Sequence, residues 1–413
     1  MNSWAQVYLP PIDQAFAFPP LALMNSATGD VESLPAKNTY RMYVCGITPY
    51  DATHLGHAAT YVTFDLINRY LRAAGKTVLF VENITDIDDP LLERATRDGI
   101  DWNDLAQSQI DLFRGDMSDL HIIPPSHYIG AVESINLVVD AISILKSKGF
   151  VYEVGKDLYF SVRADTEFGS RSHLPKDRMI EIFSQRGGDP ATVGKRDPLD
   201  ALVWLSHRPG EPSWPSPFGD GRPGWHIECS AIALNYLNVD PEDDFSIDIQ
   251  GGGSDLLFPH HEMGASESAL LSDQQYARMY VYAGMIGLDG EKMSKSLGNL
   301  VFLSRLVNDG FDPMAIRLAL ISDHYSTDRM WSDAKLHSGV ELLDRLRIAL
   351  SKPEVAPTEL IVEGIIQALA NNLDTPKVLA LLTSWCDETF NGGVGGSAGE
   401  LARAIDLLLG IAI

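Results

Sequence analysis

The sequence predicts an α/β protein built on a Rossmann-like nucleotide-binding sheet, and three observations predict this fold. An apolar strand pattern at residues 41–46 is followed by an amphipathic helix pattern at 57–74 and a second strand pattern at 77–84, which together make a β–α–β unit. A later strand pattern at 245–253 ends in three glycines, which let a nucleotide approach the backbone. Alternating helical patterns fill residues 334–413, so we also expect a C-terminal helical bundle.

The same patterns divide the chain into five predicted segments. Residues 1–38 are rich in proline and small residues, and we expect them to be irregular. A polar stretch at 164–198, rich in glycine, aspartate and arginine, is typical of an insertion between two halves of a sheet. The segments are the first half of the Rossmann domain with its N-terminal extension (1–120), an inserted subdomain (121–199), the second half of the Rossmann domain (200–290), a loop and stem-contact segment (291–333) and the helical bundle (334–413).

Composition and charge narrow the classes of function. The chain carries 32 lysines and arginines against 56 aspartates and glutamates, a net charge of −24. Because nucleic-acid binders neutralise phosphates with clustered lysine and arginine, we expect no nucleic-acid partner. The sequence contains no run of roughly 18 apolar residues, the length of a membrane span, and its N-terminus does not read as a secretion signal. We therefore expect a cytoplasmic protein with no membrane partner.

The cysteines suggest a metal site rather than disulfide bonds. There are three of them, and an odd, small number in a long chain argues against a disulfide framework. Cys386 lies in the apolar helical stretch "LALLTSWCDETF", where we expect a packed thiol. Cys45 ends the first strand, Cys229 opens the helix after "GWHIE", and His260 lies in "PHHE" after the glycine-ended strand. Cysteine and histidine at such strand ends suit zinc, although their wide spacing leaves open that the three are unrelated.

Two further motifs carry side chains suited to phosphate. In "HLGH", His54 and His57 lie at the predicted start of the first helix, where exposed N–H groups and the helix dipole attract anions. In "DGEKMSKSLGN", Lys292 and Lys295 lie in a glycine-bounded stretch, and ammonium groups on such a loop can stabilise the charge of a leaving pyrophosphate. Each motif taken alone also fits a simpler alternative, capping histidines in the first and a solvated loop in the second.

Together, HLGH and KMSKS on one Rossmann-like chain resemble the signature pair of the class I aminoacyl-tRNA synthetases. The stretches "YVCGITPYD", "NITDIDDP", "GWHIEC" and "GGGSDLLFPHHE" resemble the cysteine-activating branch of that superfamily. The resemblance implies ATP with Mg²⁺ as co-substrate and one Zn²⁺ per chain, bound by Cys45, Cys229 and His260. Gly264 stands where the tRNA synthetases of this branch have a glutamate ligand. The implied site keeps an open position for the substrate thiolate, which selects cysteine over serine.

The resemblance also implies which residues contact the phosphates and the adenylate. His54 and His57 would hold phosphate oxygens, while Lys292 and Lys295 would stabilise the transition state. The implied adenylate contacts are Cys45, Gly46, Ile47, Thr48, Thr60, Asn83, Ile84, Thr85, Trp225, Gly253, Ser254, Asp255 and Ile286. From the residues alone, Asp255 or a neighbouring carboxylate suits the substrate ammonium, and Trp225 suits either a pocket wall or plain core.

Two kinds of ligase share this first half-reaction, the cysteinyl-tRNA synthetases and the cysteine:glucosaminyl-inositol ligases of mycothiol biosynthesis. Four features favour a resemblance to the second kind. The tail after KMSKS is short, and residues 333–413 are acidic, with six lysines and arginines against eleven aspartates and glutamates. Gly264 replaces the zinc-binding glutamate. The stretch "QRGGDP" at 185–190 resembles the ERGGDP motif of these ligases, with Gln185 in place of the glutamate.

The implied activity is the ATP-dependent joining of L-cysteine to the amine of glucosaminyl-inositol through a cysteinyl-adenylate, with release of AMP and pyrophosphate. By the same resemblance we expect a monomer. A cysteinyl-tRNA synthetase with a reduced C-terminal region is the alternative. A non-catalytic nucleotide sensor is a more distant one, and the intact HLGH and KMSKS motifs argue against it.

Overall fold

The computed structural model describes residues 1–13, 15–50, 53–293 and 298–413, without the side chain of Lys292. The strands of these residues are β1 (Ala22–Asn25), β2 (Asp30–Ser33), β3 (Thr39–Val44), β4 (Thr77–Ile84), β5 (His127–Gly130), β6 (Val151–Val154), β7 (Asp157–Phe160), β8 (Ala201–Ser206), β9 (Gly221–Pro223), β10 (Phe245–Gly253), β11 (Gln275–Ala283), β12 (Ile286–Leu288), β13 (Glu291–Lys292) and β14 (Arg329–Trp331). The helices are α1 (Leu55–Ala73), α2 (Asp89–Asp98), α3 (Trp102–Asp119), α4 (Ile135–Ser147), α5 (Lys176–Gln185), α6 (Trp225–Leu237), α7 (Glu262–Ser272), α8 (Leu303–Asn308), α9 (Pro313–Leu320), α10 (Asp333–Leu350), α11 (Glu359–Ala370), α12 (Thr375–Phe390) and α13 (Ala398–Leu409).

A parallel sheet of five described strands, in the order β11–β10–β3–β4–β5, forms the centre of the fold. β3 pairs in parallel with β4 on one side and with β10 on the other, so the carboxyl ends of these three strands meet at one edge. Helix α1 connects β3 to β4 and buries Phe64 and Ile67 in the main core. This arrangement confirms the predicted α/β fold. It also brings Cys45, Thr85 and Gly253 to the same edge of the sheet.

Helix α1 begins two residues earlier than predicted, at Leu55 rather than near His57. The cause is His54, whose Nδ1 accepts a hydrogen bond from the Gly56 N–H at 3.1 Å. A side-chain acceptor at this position caps the helix in the way that serine or aspartate usually does. The first histidine of HLGH therefore lies just outside the helix, and the second lies in its first turn.

An antiparallel sheet, in the order β6–β7–β8–β9, packs with α4 and α5 around a core of its own. The sequence pattern placed β8 in the second half of the Rossmann domain, whereas β8 pairs with β7 and β9. The antiparallel sheet thus crosses the predicted boundary between the inserted subdomain, which ends at 199, and the second half of the Rossmann domain, which begins at 200. Its apolar strand resembles a central strand in sequence because Trp204 and its neighbours are as deeply buried as residues of the parallel sheet.

A third, smaller sheet carries the start of the lysine motif. Strand β12 pairs with β13 in the antiparallel direction and with β14 in parallel. Lys292 is the last residue of β13, and the next residue, Met293, is buried in the main core. Lys295 lies outside the described residues.

The N-terminal segment contains more structure than the sequence indicated. Residues 22–33, expected to be irregular, form the antiparallel hairpin β1–β2. Leu21 and Leu23 are buried in the main core, and Gly29 has a φ of 78° in the connecting turn. Four-residue strands carry too few alternating positions for a pattern to be visible in the sequence.

The helices α10 to α13 form the C-terminal bundle. Cys386 is fully buried in it beside Trp385, which confirms the packed thiol predicted for this residue. Arg69 of α1 and Arg317 of α9 share the buried carboxylate of Asp65 and donate to the carbonyl oxygens of Asp406 and Leu409 in α13, which ties the bundle to α1. Among the helices of the described residues, none is both long enough and apolar enough to span a membrane.

Candidate active site and metal centre

Cys45 directly follows β3 at the carboxyl edge of the parallel sheet. Its N–H donates to Gly251 O at 3.2 Å, and its carbonyl accepts a hydrogen bond from the Tyr61 hydroxyl at 3.3 Å. A Cβ on Gly46 would lie 1.5 Å from Asn83 O, so only glycine lets the chain pass this close to β4. These contacts hold Cys45 in a buried cluster that also contains Cys229 of α6.

The three metal ligands predicted from the sequence lie together in the structure. Cys45 Sγ is 3.9 Å from Cys229 Sγ, and His260 Nε2 is 3.3 Å from Cys229 Sγ. All three side chains are buried. Two sulfurs and an imidazole nitrogen at such separations are a donor set that suits zinc, because thiolate and imidazole are the ligands that this metal prefers.

The ring of His260 is held from two sides. Its Nδ1 lies 2.9 Å from His226 Nδ1, so one of these nitrogens donates a hydrogen bond to the other while His260 Nε2 faces Cys229. Trp225 stacks on the same ring, with the ring centroids 4.2 Å apart and the planes 19° apart. Trp225 therefore walls the cysteine–histidine cluster, and His226 is the kind of outer hydrogen-bond partner that orients a metal-binding imidazole.

Two residues of the cluster were not singled out from the sequence, His261 and Gln250. His261 Nε2 is 3.2 Å from Cys45 Sγ, and ligand atoms of Cys45, His260 and His261 all lie within 4.8 Å of one another. Gln250 Nε2 lies 3.6 Å from Cys45 Sγ. The doubled histidine in "PHHE" was the available signal. Adjacent side chains usually point apart, but the helical turn at Leu257–His261 brings both rings inward.

Burial sets the protonation states of the cluster. Burial, followed by the neighbouring Cys229, raises the pKa of the Cys45 thiol well above its ordinary value. Burial also lowers the pKa of His260 well below its ordinary value and that of His261 to about 3. Near pH 7 the imidazoles are therefore neutral, the form that binds metal, while Cys45 is a thiol. A metal ion that binds here must displace the thiol proton, so binding releases protons.

A second group of predicted residues joins the ends of β3 and β4. The Gly46 N–H donates to Asn83 Oδ1 at 3.0 Å, and Asn83 Nδ2 donates to Thr85 Oγ1 at 3.3 Å. The Thr85 N–H donates to Ile47 O at 3.1 Å. Residues 45–48 and 83–85 thus form one continuous edge, with Ile47 and Ile84 buried in the core beneath it.

The end of β10 contributes to the same edge. A Cβ on Gly253 would lie 2.8 Å from Asp255 Oδ1 and 3.8 Å from Thr60 Oγ1, so these three predicted residues are neighbours. Arg186, from the stretch "QRGGDP", donates to the carbonyl oxygens of Asp255 and Phe258. The loop after α5 therefore reaches the carboxyl edge of the parallel sheet. Gln185, the last residue of α5, instead lies within 3.4 Å of Glu181 on the same helix.

Ser254 and Ile286, two further predicted adenylate contacts, differ in how exposed their side chains are. Ser254 begins the short helical turn that follows β10 and is partly exposed. Ile286 begins β12, and its side chain is buried in the main core. A nucleotide at the edge can therefore meet Ser254 through its side chain, but it can meet Ile286 only through the backbone.

The HLGH motif is joined through the backbone to the segment that follows KMSKS. Residues 53–55 run beside residues 301–303, with the Leu55 N–H donating to Val301 O at 2.9 Å and the Leu303 N–H donating to Thr53 O at 3.1 Å. The rings of His54 and His57 stack with their centroids 3.8 Å apart. Burial, together with His54, lowers the pKa of His57 well below its ordinary value, so His57 can act as a neutral hydrogen-bond donor. HLGH thus lies next to the segment that follows KMSKS.

Comparison with known proteins agrees with this architecture. Residues 32–341 match the family model described as the class I tRNA synthetase (C) catalytic domain. A methionyl-tRNA synthetase of Mycobacterium tuberculosis, solved with methionyl-adenylate, has a similar fold, with a TM-score of 0.63, 16% identity and coverage of 91% of this chain and 90% of that one. The parallel sheet, the two motifs and these matches define a class I synthetase catalytic domain.

Similar proteins with curated names identify the family to which the chain belongs within this class. The L-cysteine:1D-myo-inositol 2-amino-2-deoxy-alpha-D-glucopyranoside ligase of Kribbella flavida is 55% identical over 394 residues, 95% of each chain. The protein of the same name from Nocardia farcinica is 51% identical over 418 residues and covers 100% of both chains. The chain therefore belongs to the family of L-cysteine:1D-myo-inositol 2-amino-2-deoxy-alpha-D-glucopyranoside ligases, a branch of the class I synthetases, and it is an ATP-dependent ligase.

Proposed function

We propose that this chain joins L-cysteine to the amine of glucosaminyl-inositol with cleavage of ATP to AMP and pyrophosphate, as a step of mycothiol biosynthesis. The observation that carries the proposal is a buried cysteine–histidine cluster next to the carboxyl edge of the parallel sheet, which we call the nucleotide edge. The names of the full-length relatives supply the acceptor. The short, acidic bundle at 334–413 supports a small acceptor in place of a nucleic acid.

In the first step, the carboxylate of cysteine attacks the α-phosphorus of ATP, which forms cysteinyl-adenylate and releases pyrophosphate. His54 and His57 contribute hydrogen bonds to phosphate oxygens at the start of α1, where the helix dipole also favours an anion. Lys292 and Lys295 stabilise the charge that builds on the leaving pyrophosphate, with Mg²⁺ entering as the ATP complex. The edge formed by residues 45–48, 83–85 and 253–255, with Thr60, Trp225 and Ile286, binds the adenylate.

The cysteine–histidine cluster provides recognition of the substrate sulfur. Cys45, Cys229 and His260 would hold one Zn²⁺, which when bound supplies a Lewis acid that prefers thiolate to hydroxyl. The protein keeps this site dry, since all three side chains are buried. Trp225 and His226 keep the His260 ring oriented. Selection for cysteine over serine then rests on a bond that serine forms poorly, because shape alone discriminates weakly between such similar side chains.

In the second step, the amine of glucosaminyl-inositol attacks the carbonyl carbon of the adenylate. A C–N bond forms, the C–O bond to AMP breaks, AMP leaves with the electron pair, and the amine proton passes to solvent. A deprotonated amine is already a good nucleophile, so the main contribution of the protein is to position it.

The remaining expectations form part of the same proposal. Two catalytic halves flank the inserted subdomain, whose antiparallel sheet extends beyond the expected boundary at 199 to β9, and the segment at 291–333 connects them to the bundle at 334–413. The enzyme acts as a monomer in the cytoplasm on the small molecules cysteine, ATP and glucosaminyl-inositol, without a nucleic-acid or membrane partner.

An acceptor comparison tests the proposal. The purified full chain, loaded with Zn²⁺, is incubated with cysteine and Mg²⁺–ATP, and AMP and the product mass are measured with either glucosaminyl-inositol or tRNA added. We expect AMP and the cysteinyl amide in equal amounts with the amino sugar alone. Charging of tRNA without amide formation would make the chain a cysteinyl-tRNA synthetase. The absence of cysteine-dependent ATP–pyrophosphate exchange would make it a nucleotide sensor.

A further inference from the structure

The cysteine–histidine cluster contains a fourth donor atom that the family resemblance did not supply. His261 Nε2 lies 3.2 Å from Cys45 Sγ, and Cys45 Sγ is in turn 3.9 Å from Cys229 Sγ. His260 completes the group, since its ligand atom lies within 4.8 Å of those of Cys45 and His261. All four side chains are buried. With Cys229, which contacts Cys45 and His260, these side chains supply two sulfurs and two imidazole nitrogens, the number and kind of donors that a closed, four-coordinate zinc site uses.

The hydrogen bonds around His261 select the tautomer in which Nε2, the atom facing Cys45, carries no proton. The Gln250 amide is oriented by two contacts, because its Oε1 accepts from the Tyr276 hydroxyl at 2.7 Å and its Nε2 donates to Gly251 O at 3.1 Å. Gln250 Nε2 also lies 3.1 Å from His261 Nε2 and can only donate there. His261 Nε2 is therefore the acceptor, and the proton of the ring is on Nδ1, 2.9 Å from the Tyr282 hydroxyl.

The position that holds a glutamate ligand in the tRNA synthetases offers no such donor here. Gly264 has no side chain, and the atom nearest to a Cβ built on it is Ser230 Oγ, at 3.4 Å. That hydroxyl donates hydrogen bonds to Gly264 O at 3.1 Å and to Glu267 Oε2 at 3.2 Å. Within the described residues, His261 is thus the group best placed to complete the coordination.

We propose that His261 is the fourth metal ligand of the resting site and that the thiol of the substrate displaces it. This inference rests on the metal binding in the proposed function. In the exchange, the bond from the metal to Nε2 breaks, a bond from the metal to the substrate sulfur forms, and the thiol proton passes to solvent. The displaced ring keeps the hydrogen bond of Nδ1 with Tyr282, and its Nε2 is again able to accept from Gln250.

A closed, four-coordinate resting site increases the selectivity for cysteine over serine. With three protein ligands, water or the hydroxyl of serine meets an unoccupied position. With His261 bound, an incoming group must compete with an imidazole, which a thiolate does well and a neutral hydroxyl does poorly. The exchange therefore adds a barrier that only the cysteine substrate overcomes readily.

X-ray absorption of the Zn²⁺-loaded full chain tests the proposal without any variant. We expect two sulfur and two imidazole ligands in the free protein, and three sulfur and one imidazole after cysteine is added. A single imidazole in both states would overturn the proposal. The measurement uses neither ATP nor acceptor, so it separates this inference from the proposed function, whose failure would be seen as missing amide in the acceptor assay.

Substitution gives an independent measurement. His261→Asn keeps a polar atom near Nδ1 but has none at the position of Nε2, and we expect it to lower Zn²⁺ affinity at least tenfold in a chelator competition. It should also raise the rate of serine-dependent relative to cysteine-dependent ATP–pyrophosphate exchange. The matched control is His207→Asn, in an exposed loop outside the cluster, with unchanged affinity. Equal affinities for the two variants would overturn the proposal.

Discussion

Replacing Asp65 with asparagine removes a carboxylate that two buried guanidinium groups share. Asp65 Oδ2 accepts from Arg69 Nε at 2.6 Å and from Arg317 Nη2, while Oδ1 accepts from the Ile123 N–H at 2.8 Å. Both arginines are fully buried. Burial alone would raise the pKa of Asp65, but Arg69 and Arg317 outweigh it and lower the pKa, so the group is an anion in the folded chain.

The free-energy cost of Asp65→Asn follows from the two arginine charges that remain buried. Removing one partner of a buried ion pair costs about 3–5 kcal/mol, because an uncompensated charge stays buried. Asp65→Asn leaves two such charges, but Arg69 Nη1 still donates to Asp406 O at 2.7 Å and Arg317 Nε to Leu409 O at 2.6 Å. These hydrogen bonds to carbonyl groups offset part of the cost of leaving a second charge without its carboxylate. We therefore expect the free energy of unfolding to fall by about 4 kcal/mol, near the middle of that range.

Urea unfolding followed by tryptophan fluorescence measures this change. The matched control is Glu153→Gln, which breaks an exposed ion pair with Lys146 at 2.9 Å and should cost less than about 1 kcal/mol. The double variant Asp65→Asn/Arg317→Met removes one of the stranded cations and should be more stable than Asp65→Asn alone. A cost for Asp65→Asn no larger than that of Glu153→Gln would refute the reasoning.

Three further predictions concern the site and its surroundings. Cys229→Ser should lower the bound zinc measured by elemental analysis and abolish cysteine-dependent ATP–pyrophosphate exchange; unchanged metal and activity would remove Cys229 from the site. Lys295→Ala should depress the rate of exchange more than the affinity for cysteine, and equal losses in both would mean that the loop only shapes the pocket. Burial raises the pKa of Asp116 to about 7, so this group binds a proton on folding above pH 4 and its contribution to stability is lost as the pH rises through 7. Asp116→Asn should therefore increase the free energy of unfolding by roughly 1–3 kcal/mol at pH 7.5 and not at pH 4, and a gain of equal size at both pH values would contradict that assignment.

The central fold was predictable because its signals are local. The β–α–β pattern around α1 needs only neighbouring residues to be visible, and the glycines at the end of β10 mark the functional edge. The pairing of β8 was not predictable in this way. A buried antiparallel strand and a buried parallel strand have the same apolar composition, and the partner of a strand is set by tertiary contacts.

The residues of the candidate site also fall into two groups, those with a local sequence signal and those whose role depends on tertiary contacts. Cys45, Cys229 and His260 could be proposed from residue type and motif, since cysteine and histidine have few roles in such positions. His226, Gln250 and His261 act through contacts across the cluster, at 2.9 Å, 3.6 Å and 3.2 Å respectively. Apart from the doubled histidine in "PHHE", nothing in their sequence neighbourhood distinguishes such a contact from ordinary burial. Their roles became visible only when the turn at Leu257–His261 placed both rings of "PHHE" against the two thiols.

Cys45 joins the two halves of the proposed chemistry, because its side chain lies in the cluster and its backbone belongs to the nucleotide edge. The Sγ contacts Cys229 and His261, while the next residue, Gly46, donates to Asn83 on β4. Under the proposed function, a substrate whose sulfur binds at the cluster would have its carboxylate directed toward the edge where ATP would lie. Recognition of the sulfur and placement of the reacting carboxylate become a single event. Serine in the same pocket lacks the bond that fixes its carboxylate, so it is disfavoured both in binding and in reaction, and such a site can select cysteine without a separate editing domain.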